Sequence, residues 1–343
     1  MIKKIKAHKI ASIAINLKLE KEITISDKII SKAGSILAVK ALEEKNLYNQ
    51  IEITSGRMVR ISKDDILVVA LGARKALKGF VGKVPARLKA GDKLDILNLG
   101  GVVGVCESSP EELGKPIKVE VLGSVVVDGA PLTTYMNAIP PIKNLEHSAP
   151  LIVVSGTSMN TGKTTAACEL IQQLSKKNYK IAAAKLTGVS LLSDTLNMED
   201  NGAQKSLSFI HAGLTSTVNN SMIVSVAKGL LNELNKIEPD IIVVELGDGI
   251  MGEYGVQEIL KDNEIMKFAK VHIVCALDPV GAWGAVQRFN KFNLKVDLLT
   301  GPACGTSIGV DIIKRETGIE AINAKTEPSI FAGFIEKIIA GRK

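Results

Sequence analysis

Residues 156–165, Gly-Thr-Ser-Met-Asn-Thr-Gly-Lys-Thr-Thr, set two glycines, a lysine and a run of hydroxyls after four apolar residues and before a helical pattern. Such a stretch suits phosphate. Glycine lets the backbone bend around an anion, successive N–H groups point inward, a lysine meets the terminal phosphates and a hydroxyl meets magnesium. Gly156 starts the loop, Thr157, Ser158, Met159, Asn160 and Thr161 span it, and Gly162 precedes Lys163. Thr164 then offers the metal-binding hydroxyl, with Thr165 behind it at the positive end of the helix. The five residues from Thr157 to Thr161 make the loop one longer than the standard spacing. A polar turn with a solvated lysine is the alternative; the order strand, loop, helix favours phosphate.

Carboxylates supply the second half of such chemistry. Magnesium takes oxygen ligands, usually one or two carboxylates with phosphates and water. Glu245 follows the apolar run "DIIVV" and so falls at the carboxyl end of a buried strand, where open α/β sheets bind ligands. The stretch "SDTLNMEDNGA" offers Asp194 and Asp200; Glu199 and Asp200 are also what a helix N-terminus favours. Asp248 and Glu253 lie in the loop after Glu245, as cleft acids or as turn residues. Asp278-Pro279 and Trp283 end another strand, as substrate contacts or as a loop with a buried aromatic anchor. Asn323 and Lys325 sit at a later strand end where a nucleotide base would stack or hydrogen-bond. No N-K-x-D guanine signature is present, which tilts the nucleotide toward ATP.

Other chemistries fare worse. The four histidines show no metal spacing, and nothing pairs a base with Cys304. The four cysteines form no C-x-x-C pair or framework, so free thiols in a reducing cytoplasm are expected. No apolar run approaches the roughly 18 residues that a membrane span needs. Aromatic residues are 3% of the chain, too few for a surface that stacks bases, and the excess charge of +7 is scattered rather than gathered, which suits anionic small molecules and solubility over nucleic acid.

At 343 residues two domains are expected. Residues 1–128 read as a β-rich domain: "KEITI", "NQIEIT", "DILVVAL", "KLDILNLGGVVGV" and "IKVEVLGSVVV" recur at the short spacing of a small barrel or sandwich, with a helical pattern near "GSILAVKALEEKNLY". Residues 129–149, with Pro140 and Pro141, read as a linker. Residues 150–343 alternate apolar strands with amphipathic helices, including one near 201–212, and end on "EAINA" and a helix over 328–341. That alternation predicts an α/β domain, a parallel sheet with helices on both faces.

"VSGTSMNTGKTT" resembles the variant P-loop of the dethiobiotin synthetase and cobyrinic acid a,c-diamide synthase group, and the resemblance runs from residue 150 to about 300. "IAAAKLTG" resembles that group's second strand, which implies a place for Lys185 beside substrate and phosphates. "DIIVVELGDGIMG" resembles its strand ending in Glu-Gly-x-Gly-Gly, which implies that Glu245 holds magnesium. The group has an aspartate just before a helix, matched by Asp200 better than by Asp194. It has a glycine where Asp248 stands, and an asparagine for the base where Gly301-Pro302 stands here.

The resemblance implies a P-loop NTPase domain and a Mg-ATP-dependent enzyme of the ligase or kinase kind. Such an enzyme transfers the γ-phosphoryl group to a small carboxylate, amide or carbamate, with Lys163, Lys185 and Glu245 in the chemistry and a homodimer as the assembly. The alternative is an NTPase switch or metallochaperone that acts on a protein partner. A looser resemblance to an uncharacterised P-loop family, some members of which are linked to acyl transfer on D-amino acids, keeps amino-acid-like substrates open.

Overall fold

The computed structural model describes residues 2–341, and the chain divides into two compact units. The first takes the chain up to Ile139 together with Val189–Ser193 and Phe209–Val218; the second takes Pro140–Gly188, Asp194–Ser208 and the chain from Asn219 onward. The change at Ile139–Pro140 falls inside the proline-bearing stretch, where a missing N–H donor and restricted backbone interrupt regular pairing.

The first unit is built from β1 (Ile2–Lys6), β2 (Lys9–Ile10), β3 (Glu22–Ser26), β4 (Ile36–Ala41), β5 (Gln50–Glu52), β6 (Met58–Arg60), β7 (Ile66–Leu71), β8 (Arg74–Lys75), β9 (Val81–Lys83), β10 (Lys93–Ile96), β11 (Val102–Ser108), β12 (Lys118–Val127) and β13 (Ala130–Pro131). Five of these strands close on themselves: β12 pairs β4, β4 pairs β7, β7 pairs β11, β11 pairs β10, and β10 returns to β12. Closure removes the open edges that a flat sheet would present. A register shift between Val121 and Gly123 bends β12, so that one strand serves β3, β4, β10 and β13. The centre is aliphatic, with Leu37, Val39, Leu67, Val69, Val103 and Val119 all fully buried.

The segment expected to be helical, "GSILAVKALEEKNLY", is strand β4 followed by irregular chain. An apolar run of this length is too short to distinguish helix from buried strand by periodicity. Between β7 and β12, "ILAVKA" gains a ladder on both sides that an isolated helical turn lacks.

In the second unit six parallel strands are ordered β16-β15-β17-β14-β18-β19: β14 (Leu151–Gly156), β15 (Ile181–Thr187), β16 (Lys205–Ser208), β17 (Ile241–Leu246), β18 (Ala269–Cys275) and β19 (Leu298–Thr300). The helices are α1 (Lys163–Ser175), α2 (Ser193–Asp200), α3 (Ile223–Asn235), α4 (Val256–Leu260), α5 (Asn263–Met266), α6 (Pro279–Asn290), α7 (Ser307–Thr317) and α8 (Pro328–Gly341). Ile152, Val154, Ala183, Val243 and Ile273 point to one face, into a cluster with Leu170 and Leu174 of α1 and Phe331 and Ile335 of α8. The residues between them are buried on the opposite face, where α3 packs against β15 and β16. Both faces are covered, which is why these strands read as continuous apolar runs.

The expected helix over 201–212 is absent. α2 ends at Asp200, Gly202 takes a positive φ of 110°, and the alternation Ser206-Leu207-Ser208 adds β16 to the sheet edge beside β15. "EAINA" makes a single bridge, Ala321 to Leu299, rather than a strand.

Candidate functional site

The loop after β14 joins the strand end to the first turn of α1. Asn160 and Gly162 both have left-handed backbone, φ 59° and 85°, which turns successive amides toward one side. Among the described residues no acceptor stands against the N–H of Ser158, Met159, Asn160, Thr161, Gly162, Lys163 or Thr164. A run of seven unpaired N–H groups from Ser158 to Thr164, through the loop and into the first turn of α1, makes a place for an anion. The loop is held by other groups instead, one on the neighbouring strand and two of its own side chains. Thr157 N–H donates to the Cys275 carbonyl (2.9 Å), Thr161 Oγ1 to the Ser158 carbonyl (3.1 Å), and Ser158 Oγ to the Met159 carbonyl (3.0 Å). Gly156 allows this closure: a Cβ there would lie 2.4 Å from Thr161 Oγ1.

Lys163 is 7% exposed and folds back across the loop, its Nζ donating to the Ser158 carbonyl at 2.8 Å. That contact engages one of the ammonium's three N–H groups. Burial pulls its pKa below the ordinary lysine value, with Glu245 pushing the other way.

Glu245, 1% exposed near the end of β17, accepts from Thr164 Oγ1 at 3.2 Å and lies 3.8 Å from Lys185 Nζ on the neighbouring strand β15. Its Oε2 is buried without a hydrogen-bond partner. Burial raises its pKa above the usual glutamate value, against the pull of Lys185. Lys185 also pairs closely with Asp194, in the first turn of α2. The Thr164 hydroxyl, the Glu245 carboxylate and the nearby Asp194 are the oxygen donors a magnesium ion takes, and the bare Oε2 fits one.

Asp200 is not part of this group. It is exposed at the far end of α2, six residues and so about 9 Å of helix rise beyond Asp194. α2 starts earlier than its sequence suggests: the N–H groups of Leu192 and Ser193, at and just before its first residue, donate to Glu52 of the same unit, both at 2.7 Å. Asp194→Asn should therefore weaken magnesium-dependent nucleotide binding by about tenfold, and Asp200→Asn should leave it unchanged. Calorimetric titration of the two variants with Mg-nucleotide checks this.

A cleft of about 230 Å³ opens beside the loop, lined by Asn160, Gly162 and Thr165 on one side and by Gly301, Pro302 and Asn323 on the other. Asn323 builds this wall: its Oδ1 accepts from the N–H groups of Lys325 (3.0 Å) and Thr326 (3.2 Å), and its Nδ2 donates to the Cys304 carbonyl (3.1 Å). One amide N–H is left for a ligand.

Asp248 is buried, has a left-handed φ of 68°, and its charge acts on Lys163; Glu253 is exposed. Asp278 caps α6 through Gly281 N–H (2.8 Å). Trp283, read as a possible buried anchor, is 48% exposed. Cys304 is buried, its Sγ turned to the Leu299 carbonyl, and burial pushes its thiol up to about 12, which rules against a thiolate nucleophile.

Strand β14, the phosphate-type loop and α1 on a parallel sheet make the second unit a P-loop NTPase fold. No protein-family model matches the chain, and no curated protein matches it. Among solved structures it is similar to the signal recognition particle 54 kDa protein of Aeropyrum pernix in complex with GDP (15% identity, TM-score 0.37, 57% of this chain). It is also similar to cell division protein FtsY of Thermotoga maritima (17%, 0.38, 57% of this chain and 70% of that one). A third is hydrogenase maturation factor HypB of Archaeoglobus fulgidus (14%, 0.39, 57% and 91%). The match spans about half, 49%, of the signal recognition particle protein. Among the described residues no helix is long and apolar enough to cross a membrane.

Proposed function

We propose that the second unit binds a magnesium–nucleoside triphosphate and transfers its γ-phosphoryl group to a small acid, amide or carbamate, in the manner of the dethiobiotin synthetase group. The observation that carries this reading is the run of bare amides from Ser158 to Thr164 with the Lys163 ammonium beside it. Phosphoryl transfer is mainly positioning and neutralisation of charge on the transferred group. The amides and Lys163 hold the β- and γ-phosphates. Thr164 and Glu245 hold magnesium, whose part is to offset charge on the phosphate oxygens. Lys185, steadied by Asp194, faces the γ-phosphate or the acceptor's anion. Asn323 shapes the cleft for the base, and ATP is the nucleotide this reading favours.

The test is phosphate release from Mg-ATP and Mg-GTP, with and without a panel of small carboxylates, amides and amines. At least one acceptor should raise release from ATP by more than about tenfold, since an oriented acceptor replaces a bimolecular encounter. Release that no small molecule alters, from a protein that does bind nucleotide, would set phosphoryl transfer aside.

One observation favours a second reading, a nucleotide switch acting on a protein partner. Met251, Val280 and Trp283 are 75%, 76% and 48% exposed, and each lies close in sequence to a contact with the phosphate loop: Ile250 N–H donates to Gly156, and Gly281 packs on Thr157. Exposed apolar side chains at such a place suit a protein surface.

A further inference from the structure

The parallel sheet of the second unit ends on an edge that its own chain leaves open. β19 is the last strand in the order, and beyond it Ala321 makes a single parallel bridge to Leu299. In that bridge Leu299 N–H donates to the Glu320 carbonyl (2.9 Å) and Ile322 N–H donates to the Leu299 carbonyl (3.1 Å). Ala321, between Glu320 and Ile322, therefore turns its own N–H and C=O away from β19. Among the described residues nothing accepts from that N–H and nothing donates to that carbonyl, although Ala321 is only 3% exposed. Backbone groups withdrawn from water are normally paired, and an open donor and acceptor on one edge residue are a template for another extended chain.

The same residue lines a cleft of about 520 Å³, with Val310 of α7 on one wall and Ile330, Gly333 and Phe334 of α8 on the other. Ile330 is 59% exposed, so the cleft reaches the surface. Gly333 stands inside α8, where glycine is a poor helix former, and a Cβ there would meet nothing within 4 Å. The packing of this chain does not call for a glycine at that place, and the space before it is room for a side chain from elsewhere. Charge marks the ends of the α8 wall. Lys314 is matched by Glu320 at 2.5 Å, whereas Glu327 and Lys337 have no ion pair among the described residues. The ten residues between them make about 15 Å of helix rise, the span of about five residues of extended chain.

We propose that an extended segment of a partner protein, about five residues long, lies along this edge as an added strand. Its backbone exchanges N–H and C=O bonds with Ala321, and a bulky apolar side chain fills the space before Gly333. An acidic residue at one end meets Lys337 and a basic residue at the other meets Glu327. The proposal does not rest on nucleotide binding, and no covalent bond is made.

The test is fluorescence polarisation of labelled, end-capped seven-residue peptides titrated with the full chain. Each peptide carries valine, leucine, isoleucine or phenylalanine at its centre, threonine around it, and aspartate and lysine at its ends in either order. At least one should bind with a dissociation constant below about 0.1 mM. N-methylation of the residue whose N–H meets Ala321 should weaken it by more than about tenfold, and N-methylation of the next residue, whose N–H points away, should not. Apolar contact without strand addition gives no such alternation. Gly333→Leu, which fills the space with a better helix former, should weaken the peptide by about tenfold or more without lowering the melting temperature. Ile330→Asp, at the exposed rim, gives the same readout should Gly333→Leu melt early. Lys163→Ala should leave the affinity unchanged, which separates the cleft from the nucleotide site. The proposal is overturned if no peptide in the set binds, if methylation is tolerated at every position, or if both cleft variants bind as tightly as wild type. It is also overturned if sedimentation shows a dimer that Gly333→Leu splits, since the occupant is then a second copy of the chain.

Discussion

Lys163→Ala should remove all stabilisation by nucleotide while leaving the fold intact. In the wild-type protein, Mg-ATP at a hundred times its dissociation constant should add about 2.7 kcal/mol, visible as a rise in melting temperature; in the variant the melting curves with and without nucleotide should coincide. The reason lies in where the ammonium sits. It is almost fully buried inside the loop, burial already pulls its pKa down, and its one close main-chain contact is the Ser158 carbonyl. A cation kept at that cost with few acceptors gains most when a polyanion arrives. Removing it takes away the only positively charged side chain within the loop while the flanking apolar contacts of Ala166, Ala167 and Leu170 remain. A ligand-free variant that melts well below wild type would instead mark Lys163 as a structural residue.

Glu245→Gln should separate binding from turnover. Nucleotide affinity should change little, because the amides and Lys163 are untouched, whereas magnesium-dependent turnover should fall by about 100-fold or more. The pH behaviour follows from burial. Glu245 titrates above the usual 4.5 in the fold, so its contribution to stability is full below that value and is lost as pH rises through the raised one. Without nucleotide, the glutamine variant should therefore melt higher than wild type at neutral pH, and the difference should close on acidification. Lys185 keeps Asp194 as its partner in that variant. In the wild type, magnesium-dependent turnover should fade on acidification sooner than for an ordinary glutamate, since the metal needs the ionised carboxylate. Melting curves and magnesium titrations across pH 4 to 8, roughly the span over which a raised carboxylate titrates, check both parts.

Much of this was legible in the sequence, for physical reasons that differ from residue to residue. The phosphate loop announces itself because only glycine tolerates the close approach at Gly156 and the left-handed turn at Gly162, and a lysine beside them has few other uses. Glu245 was legible because a carboxylate after four apolar strand residues cannot face the core without purpose. The choice between Asp194 and Asp200 was not: both suit a helix start, and the N–H groups at Leu192 and Ser193, where α2 begins, are met by Glu52, a partner 140 residues away along the chain that no local pattern reveals. β4 was misread as helical because a short, fully apolar run has no face to betray its period.

The sharpest test of the phosphate loop is a nitrogen–proton NMR spectrum of the labelled full chain, recorded with and without a non-hydrolysable Mg-ATP analogue. The amide protons of Ser158 to Thr164, which lack acceptors in the free protein, should move downfield and gain protection from exchange with water, and Gly162 should be among them. If those resonances stay in place at saturating analogue, the loop is a polar turn and no phosphate rests on it.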